Sequence, residues 1–165
     1  DVFYGLDFGY LRDPTVVTAN VISGENLYSK ELIYDDTGLT NDMISREMDL
    51  AKVDRRSPIF PDPNEPKSAE EIRRFGYNVG ETVKGAGSVE YGIQKVNQFY
   101  QHWTKDSINC IKEQRNYRYL EDKNGYLTNR TSHKWSHGMD SRRYAVASYA
   151  SAVGQRPKSL SSIAF

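Results

Sequence analysis

Residues 2–10, VFYGLDFGY, alternate in a way that only an extended strand can use. Val2, Tyr4, Leu6, Phe8 and Tyr10 share one face, and Phe3, Gly5, Asp7 and Gly9 share the other. The strand therefore has a large apolar side and a small, acidic side. Arg12, Asp13 and Pro14 are turn residues, Thr15 to Ser23 is β-branched and apolar, and Gly24 to Asn26 turns again. Leu27 to Tyr34 reads as a third strand, so the chain begins with an antiparallel meander.

The period then changes. After the turn-rich DDTGLTND, the apolar residues Met43, Ile44, Met48 and Leu50 to Val53 predict a helix over roughly 41–53. Pro58 to Phe60 is a short apolar segment, and PDPNEP after it cannot be helical, because each proline lacks a donor and restricts its predecessor. Ser68 and Glu71 fit a capping box and predict a helix running to about Phe75. Asp62 thus falls after a strand and before a helix. Tyr77 to Val83 reads as a strand and Lys84 to Gly87 as a glycine-rich turn. Ser88 can cap a helix whose inner side carries Val89, Ile93, Val96 and Tyr100. Ser107 to Lys112 reads as a short strand carrying Cys110, and Glu113 to Lys134 as a surface hairpin or extended excursion around Asn124-Gly125. Ser136 to about Val153 predicts a helix with a small-residue packing face, Tyr144, Ala145, Ala147, Ser148 and Ala152. No internal repeat is visible. The expectation is an α/β domain over 1–153, a mixed sheet with antiparallel strands 1–3 and flanking helices in the order of an RNase H-like fold, and a loose tail over 154–165.

Composition excludes several classes. A chain of 165 residues suits one domain with a real core. A lone cysteine rules out a disulfide scaffold and suggests a reducing compartment. No apolar run reaches the roughly 18–20 residues of a membrane span, and no signal-peptide pattern opens the chain. Twenty-two Lys and Arg balance 22 Asp and Glu, so any nucleic-acid binding must come from local clusters. The chain opens at Asp1, running at once into a strand, which reads as one domain of a longer polypeptide.

Three carboxylates stand where they serve a metal better than solubility: Asp7 within the first strand, Asp62 after the later strand and Asp140 at the start of the last helix. Mg²⁺ and Mn²⁺ take oxygen ligands and keep water and substrate phosphates in their shells, so two or three convergent carboxylates suffice. Two such ions about 3.5–4 Å apart hydrolyse phosphodiesters. The bland alternatives are an edge-strand charge for Asp7, a turn residue for Asp62 and a first-turn helix acid for Asp140. Against the first, Gly5 and Gly9 flank Asp7 on its own face and leave room for an ion. Against the last, His137 stands three residues before Asp140, a spacing that puts imidazole beside carboxylate and opens a metal or proton-transfer role. A solvated surface histidine is the alternative for His137. Lys84 to Ser88, KGAGS, is a weak phosphate-turn signal and no Walker A motif, so nothing supports ATP binding. Lys84, Lys112, Arg115 and Arg118 are candidate contacts to a DNA backbone, or simply a solvated face.

Taken in order, GLDFGYLRDPT, DPNEPKSAEEIRRFG, KGAGSVEYGIQKV and HGMDSRRYAV resemble the C-terminal nuclease domain of the large terminase subunit of tailed bacteriophages, over roughly residues 3–149. The resemblance implies an RNase H-like metal-dependent endonuclease that follows an ATPase domain in the same chain and cuts concatemeric viral DNA during packaging. It also implies double-stranded DNA, the small terminase subunit and the portal protein as partners, and the host cytoplasm at the procapsid portal as location. Asp7 then matches the first-strand metal aspartate, Asp62 that of the D-x-x-E-P-K-S segment and Asp140 that before the R-Y-A helix. His137 matches a histidine found near the metals in some members. Two Mg²⁺ or Mn²⁺ ions are the implied cofactors. Pro63 departs from the pattern, which has a small residue after the aspartate. Two rivals remain at this point, a non-catalytic domain that grips DNA or the portal, and an actin-like phosphotransferase lobe, which needs a second lobe that this length does not supply.

Overall fold

The computed structural model describes residues 1–154, so the tail expected from 154 onward falls, Gly154 apart, outside the described residues. The expected antiparallel meander forms, β1 (Val2–Asp7), β2 (Thr15–Ser23) and β3 (Asn26–Asp35), with a register shift between Val17 and Thr18, but β1 stops at Asp7 and Tyr10, expected on its apolar face, is exposed. Two short strands extend it on either side in parallel. β4 (Ile59–Pro61) pairs with β1, and β5 (Tyr100–Trp103) pairs with β3, giving the order β4-β1-β2-β3-β5. The expected mixed α/β sheet is therefore present.

Helices cover both faces. On one side lie α1 (Asn41–Leu50) and α2 (Pro66–Arg74), which bury Ile44, Met48 and Ile72 against Tyr4, Leu6, Val17 and Ile33. On the other, α3 (Ser88–Asn97) and the long α5 (His137–Gly154) pack against Phe3, Leu27 and Phe60, and α4 (Ile108–Asn116) buries Cys110 against Val16 and Met139. A separate hairpin, β6 (Tyr119–Glu121) and β7 (Leu127–Thr131), turns at Gly125, whose φ of 81° suits glycine. A short 3₁₀ turn, His133–Trp135, leads into α5. Among the described residues no helix is long and apolar enough to cross a membrane.

Several expectations require correction. Ser107 to Lys112 is not a strand but the start of α4: Cys110 and Glu113, three residues apart, both point inward, while Ile108 is exposed. The β-branched Ile108 and Ile111 mimicked a strand. Tyr77 to Val83 forms no strand; only Val79 bridges to Ile59, and Gly80 lies against the ring of Phe60. Ser68 does not cap α2, which begins earlier at Pro66, and Glu71 accepts from Asn41 instead of reaching back. Ser88 is likewise the first helical residue of α3, after Gly87 in the left-handed region. Tyr100 belongs to β5 and is exposed rather than on the inner side of α3.

Gly5 determines how close α5 comes. A β-carbon there would stand 1.8 Å from the Ser141 carbonyl oxygen, so only glycine lets the α5 backbone cross β1 at this point. The space beside Asp7 that the sequence offered to an ion is, at Gly5, taken up by helix backbone. Gly9 is similarly closed by the Asp13–Thr15 backbone.

Candidate functional site

The ends of β1 and β4 and the first turn of α5 meet at one edge of the sheet. Asp7 is the last residue of β1 and is 7% exposed. Parallel pairing sets Leu6 opposite Pro61, and the Asp62 amide continues the ladder by donating to the Leu6 carbonyl at 2.9 Å. Asp62 therefore stands beside Asp7 by backbone geometry alone. Its Oδ1 accepts from the Asn64 amide at 2.8 Å, and its carbonyl accepts from the Glu65 amide at 3.2 Å. This turn accommodates Pro63, which has no amide hydrogen to place.

The first turn of α5 supplies the third side. His137 is buried, its Nδ1 3.2 Å from Asp7 Oδ2 and its Nε2 3.7 Å from Asp13 Oδ1. Asp140, one turn on, is half-buried and takes Arg143 Nη2 at 2.8 Å and Nε at 3.2 Å. His133, in the 3₁₀ turn, brings Nε2 to 3.3 Å from Asp13 Oδ2. Among the described residues, Asp13, His133 and His137 offer ligand atoms that all lie within 4.8 Å of one another, a spacing suited to a shared cation. Asp62 and Asp140 lie near enough for their charges to act on Asp7, but among the described residues the three carboxylates do not share that ligand spacing.

Sequence reasoning missed two members of this cluster. Asp13 read as a turn residue, and His133 carried no local signal because its partner lies 120 residues away. It also missed Glu113. This carboxylate, 1% exposed on α4, accepts from the Gly138 and Met139 amides at 2.6 and 3.3 Å and from the Tyr34 hydroxyl at 2.8 Å. It satisfies the free amides at the start of α5 and favours its positive end, holding His137 and Asp140 in place. Gly138 leaves space for it, since a β-carbon there would stand 2.5 Å from Cys110 Sγ.

The electrostatics are those of crowded acids. Burial pushes the Asp7 carboxyl up to about 7; the hydrogen bond to His137 opposes this, and the charges of Asp140 and Asp62 add to it. For His137, burial acts to lower the pKa, but the hydrogen bond and charge of Asp7, with Glu113 and Asp13, hold it above its ordinary value. Burial also raises the Glu113 carboxyl. Such a set lacks positive charge, and a dication is the natural remedy.

The basic candidates disperse. Lys84 lines a cleft with Asp62. Lys112 lies over the Trp135 ring, Arg115 is exposed on α4, and Arg118 lines a different cavity beside α5.

No family model matches the chain, and no curated protein matches it significantly. Solved structures do. The large terminase nuclease domain of bacteriophage SPP1, solved with bound Mn, shares 25% identity with a TM-score of 0.77, covering 88% of this chain and 84% of that one. The large terminase nuclease of thermophilic phage G20c, solved with bound magnesium, has a TM-score of 0.63 at 20% identity, covering 91% and 82%. Against the large terminase of a second thermophilic bacteriophage the TM-score is 0.70 at 16% identity, with 87% of this chain covered, and the chain spans 38% of that protein. Those nuclease domains share the RNase H-like fold seen here as a five-stranded mixed sheet between helices. In fold, and at 25% identity to the SPP1 domain in sequence, this chain is similar to the large-terminase nuclease domains of bacteriophages.

Proposed function

We propose that the domain is a two-metal-dependent endodeoxyribonuclease that cleaves concatemeric viral DNA during genome packaging. Asp7, Asp62 and Asp140 are its metal ligands, and His137 completes the site. The observation that carries this reading is Asp7: a carboxylate buried at a strand end, its pKa pushed up to about 7, with two further acids and an imidazole around it. Crowding buried acids around a single imidazole is unfavourable, so an arrangement of this kind points to a cation. The donor set fits one. Carboxylate oxygens suit Mg²⁺ and Mn²⁺, and the imidazoles of His137 and His133 tilt the choice towards Mn²⁺. The metals named for the SPP1 and G20c nucleases support the same class of ion.

Bound there, the ions supply Lewis-acid stabilisation of the phosphoryl oxygens and an acidified water. The chain's own residues set the stage. Asp62 is fixed next to Asp7 by the β1–β4 ladder, and Arg143 orients Asp140. His137 turns Nδ1 towards Asp7 and can hold or release a proton at Nε2, where Asp13 favours the charged form. An ATPase domain in the same longer chain, the small terminase subunit, the portal protein and a position at the procapsid portal in the host cytoplasm belong to the same proposal.

The test is plasmid cleavage by the purified domain in Mn²⁺ and in chelator. Metal-dependent nicking or linearisation that Asp62→Ala abolishes supports the reading. Equal cutting by the variant refutes the assignment, and equal DNA binding in chelator with no cutting leaves only a DNA-gripping role.

A further inference from the structure

A cavity of about 280 Å³ lies between α3, α4, α5 and the β6–β7 hairpin, bordering the acidic cluster at Arg143. Its polar lining includes Arg118, Arg142, Arg143, Gln101, Gln114 and Tyr117, and no carboxylate lines it. Arg142 is 3% exposed, yet it takes part in no ion pair among the described residues. Its Nη2 reaches Gln101 Oε1 at 2.7 Å and Gln114 Oε1 at 3.4 Å, both neutral acceptors, and its guanidinium stacks 4.6 Å over the Trp103 ring. Its Nε and Nη1 have no hydrogen-bond partner, and neither does the buried hydroxyl of Tyr117.

A buried guanidinium without a counter-charge is strongly unfavourable. Folds keep such a residue when something anionic completes it. Arg143 is engaged by Asp140 and Arg118 is exposed at the rim, so the cavity gathers three guanidinium groups against one carboxylate that lies outside its lining. Arginine forks match phosphate oxygens in pairs, and a phosphate offers enough acceptors for several of them.

We propose that this cavity is a phosphate-binding site, with Arg142 at its floor and Arg118 at its mouth. The phosphate belongs either to a DNA backbone or to a free nucleotide. The site needs no metal and does not depend on the cleavage reading.

The experiment titrates the whole domain with inorganic phosphate in chelator, against a chloride control, and reads the fluorescence of Trp103 in a Trp135→Phe background. Saturable binding is expected, weakened about tenfold in Arg142→Gln and about threefold in Arg118→Gln, and unchanged in Arg46→Gln on the opposite side. The Arg118 variant removes an exposed side chain, so its result stands even if the Arg142 variant fails to fold. Competition by a short duplex identifies a DNA backbone phosphate, and competition by a 5′-mononucleotide but not the duplex identifies a free nucleotide. Absence of saturation, or equal affinity in the wild type and the Arg118 and Arg142 variants, overturns the proposal. Because metal is absent throughout, a nuclease-dead domain can still pass this test.

Discussion

The two faces of the sheet are built from the same strands and do opposite things. Towards α1 and α2, β1 and β2 present Tyr4, Leu6 and Val17, and the contacts are apolar. Towards α5, the alternate residues include Asp7, Thr18 and Asn20, all buried. There a polar chain runs from Ser29 Oγ to Asn20 Oδ1 at 2.8 Å, from Asn20 Nδ2 to Thr18 Oγ1 at 3.2 Å, and from Thr18 Oγ1 to Ser141 Oγ at 2.9 Å. The first face stabilises without specifying much, because apolar contact is non-directional. The second fixes one placement of α5, since every buried polar atom must find its partner. Stability and chemistry are thus separated by the alternation of a single strand.

Substitutions can break that separation if it is wrong. The largest effect is expected at Asp7: Asp7→Asn should reduce Mn²⁺-dependent cleavage to background while the metal-free protein melts no lower than wild type, by calorimetry, because a disfavoured charge is removed. Met48, fully buried on the α1 side, is the mirror case. Met48→Ala should destabilise by about 2–5 kcal/mol in urea unfolding, with cleavage per folded molecule unchanged. Thr18→Val keeps the shape but strands Asn20 and Ser141, and should lose about 1–2 kcal/mol in the same assay. The smallest effect is that of pH. A carboxyl whose folded pKa is raised binds its proton more tightly in the fold, so its contribution is lost as pH rises from about 4 to about 7. The metal-free melting temperature should fall across that window, and Asp7→Asn should flatten the fall. Added Mn²⁺ should stabilise increasingly with pH, because the ion needs Asp7 deprotonated. A metal-free melting curve that stays level from pH 4 to 7 would contradict the burial of Asp7.

The meander was legible from its alternation, and the last helix from its length and small residues, though burial runs unbroken over 141–148 and Ala152, expected on the packing face, is exposed. The proline break sufficed to place Asp62 between a strand and a helix, whereas Asp7 read as mid-strand and in fact ends β1. What failed was short or non-local. β5 has four residues, half-exposed, and takes its strand character only from pairing with β3. α4 misled because Ile108 and Ile111 are β-branched, whereas its inward face is set by Cys110 and Glu113. Asp13 and His133 meet only through the fold, and Glu113 looked like one charge among many until α5 was laid across it.

The contact at Gly5 has a consequence for how such a domain can vary. Helix and strand are locked backbone to backbone there, so any larger residue must lift the whole of α5 off the sheet and carry His137 and Asp140 away from Asp7 with it. A position with no chemistry of its own thereby sets the spacing of the reactive groups, and a lineage that exchanged this glycine would have to redesign the helix before it could keep the site.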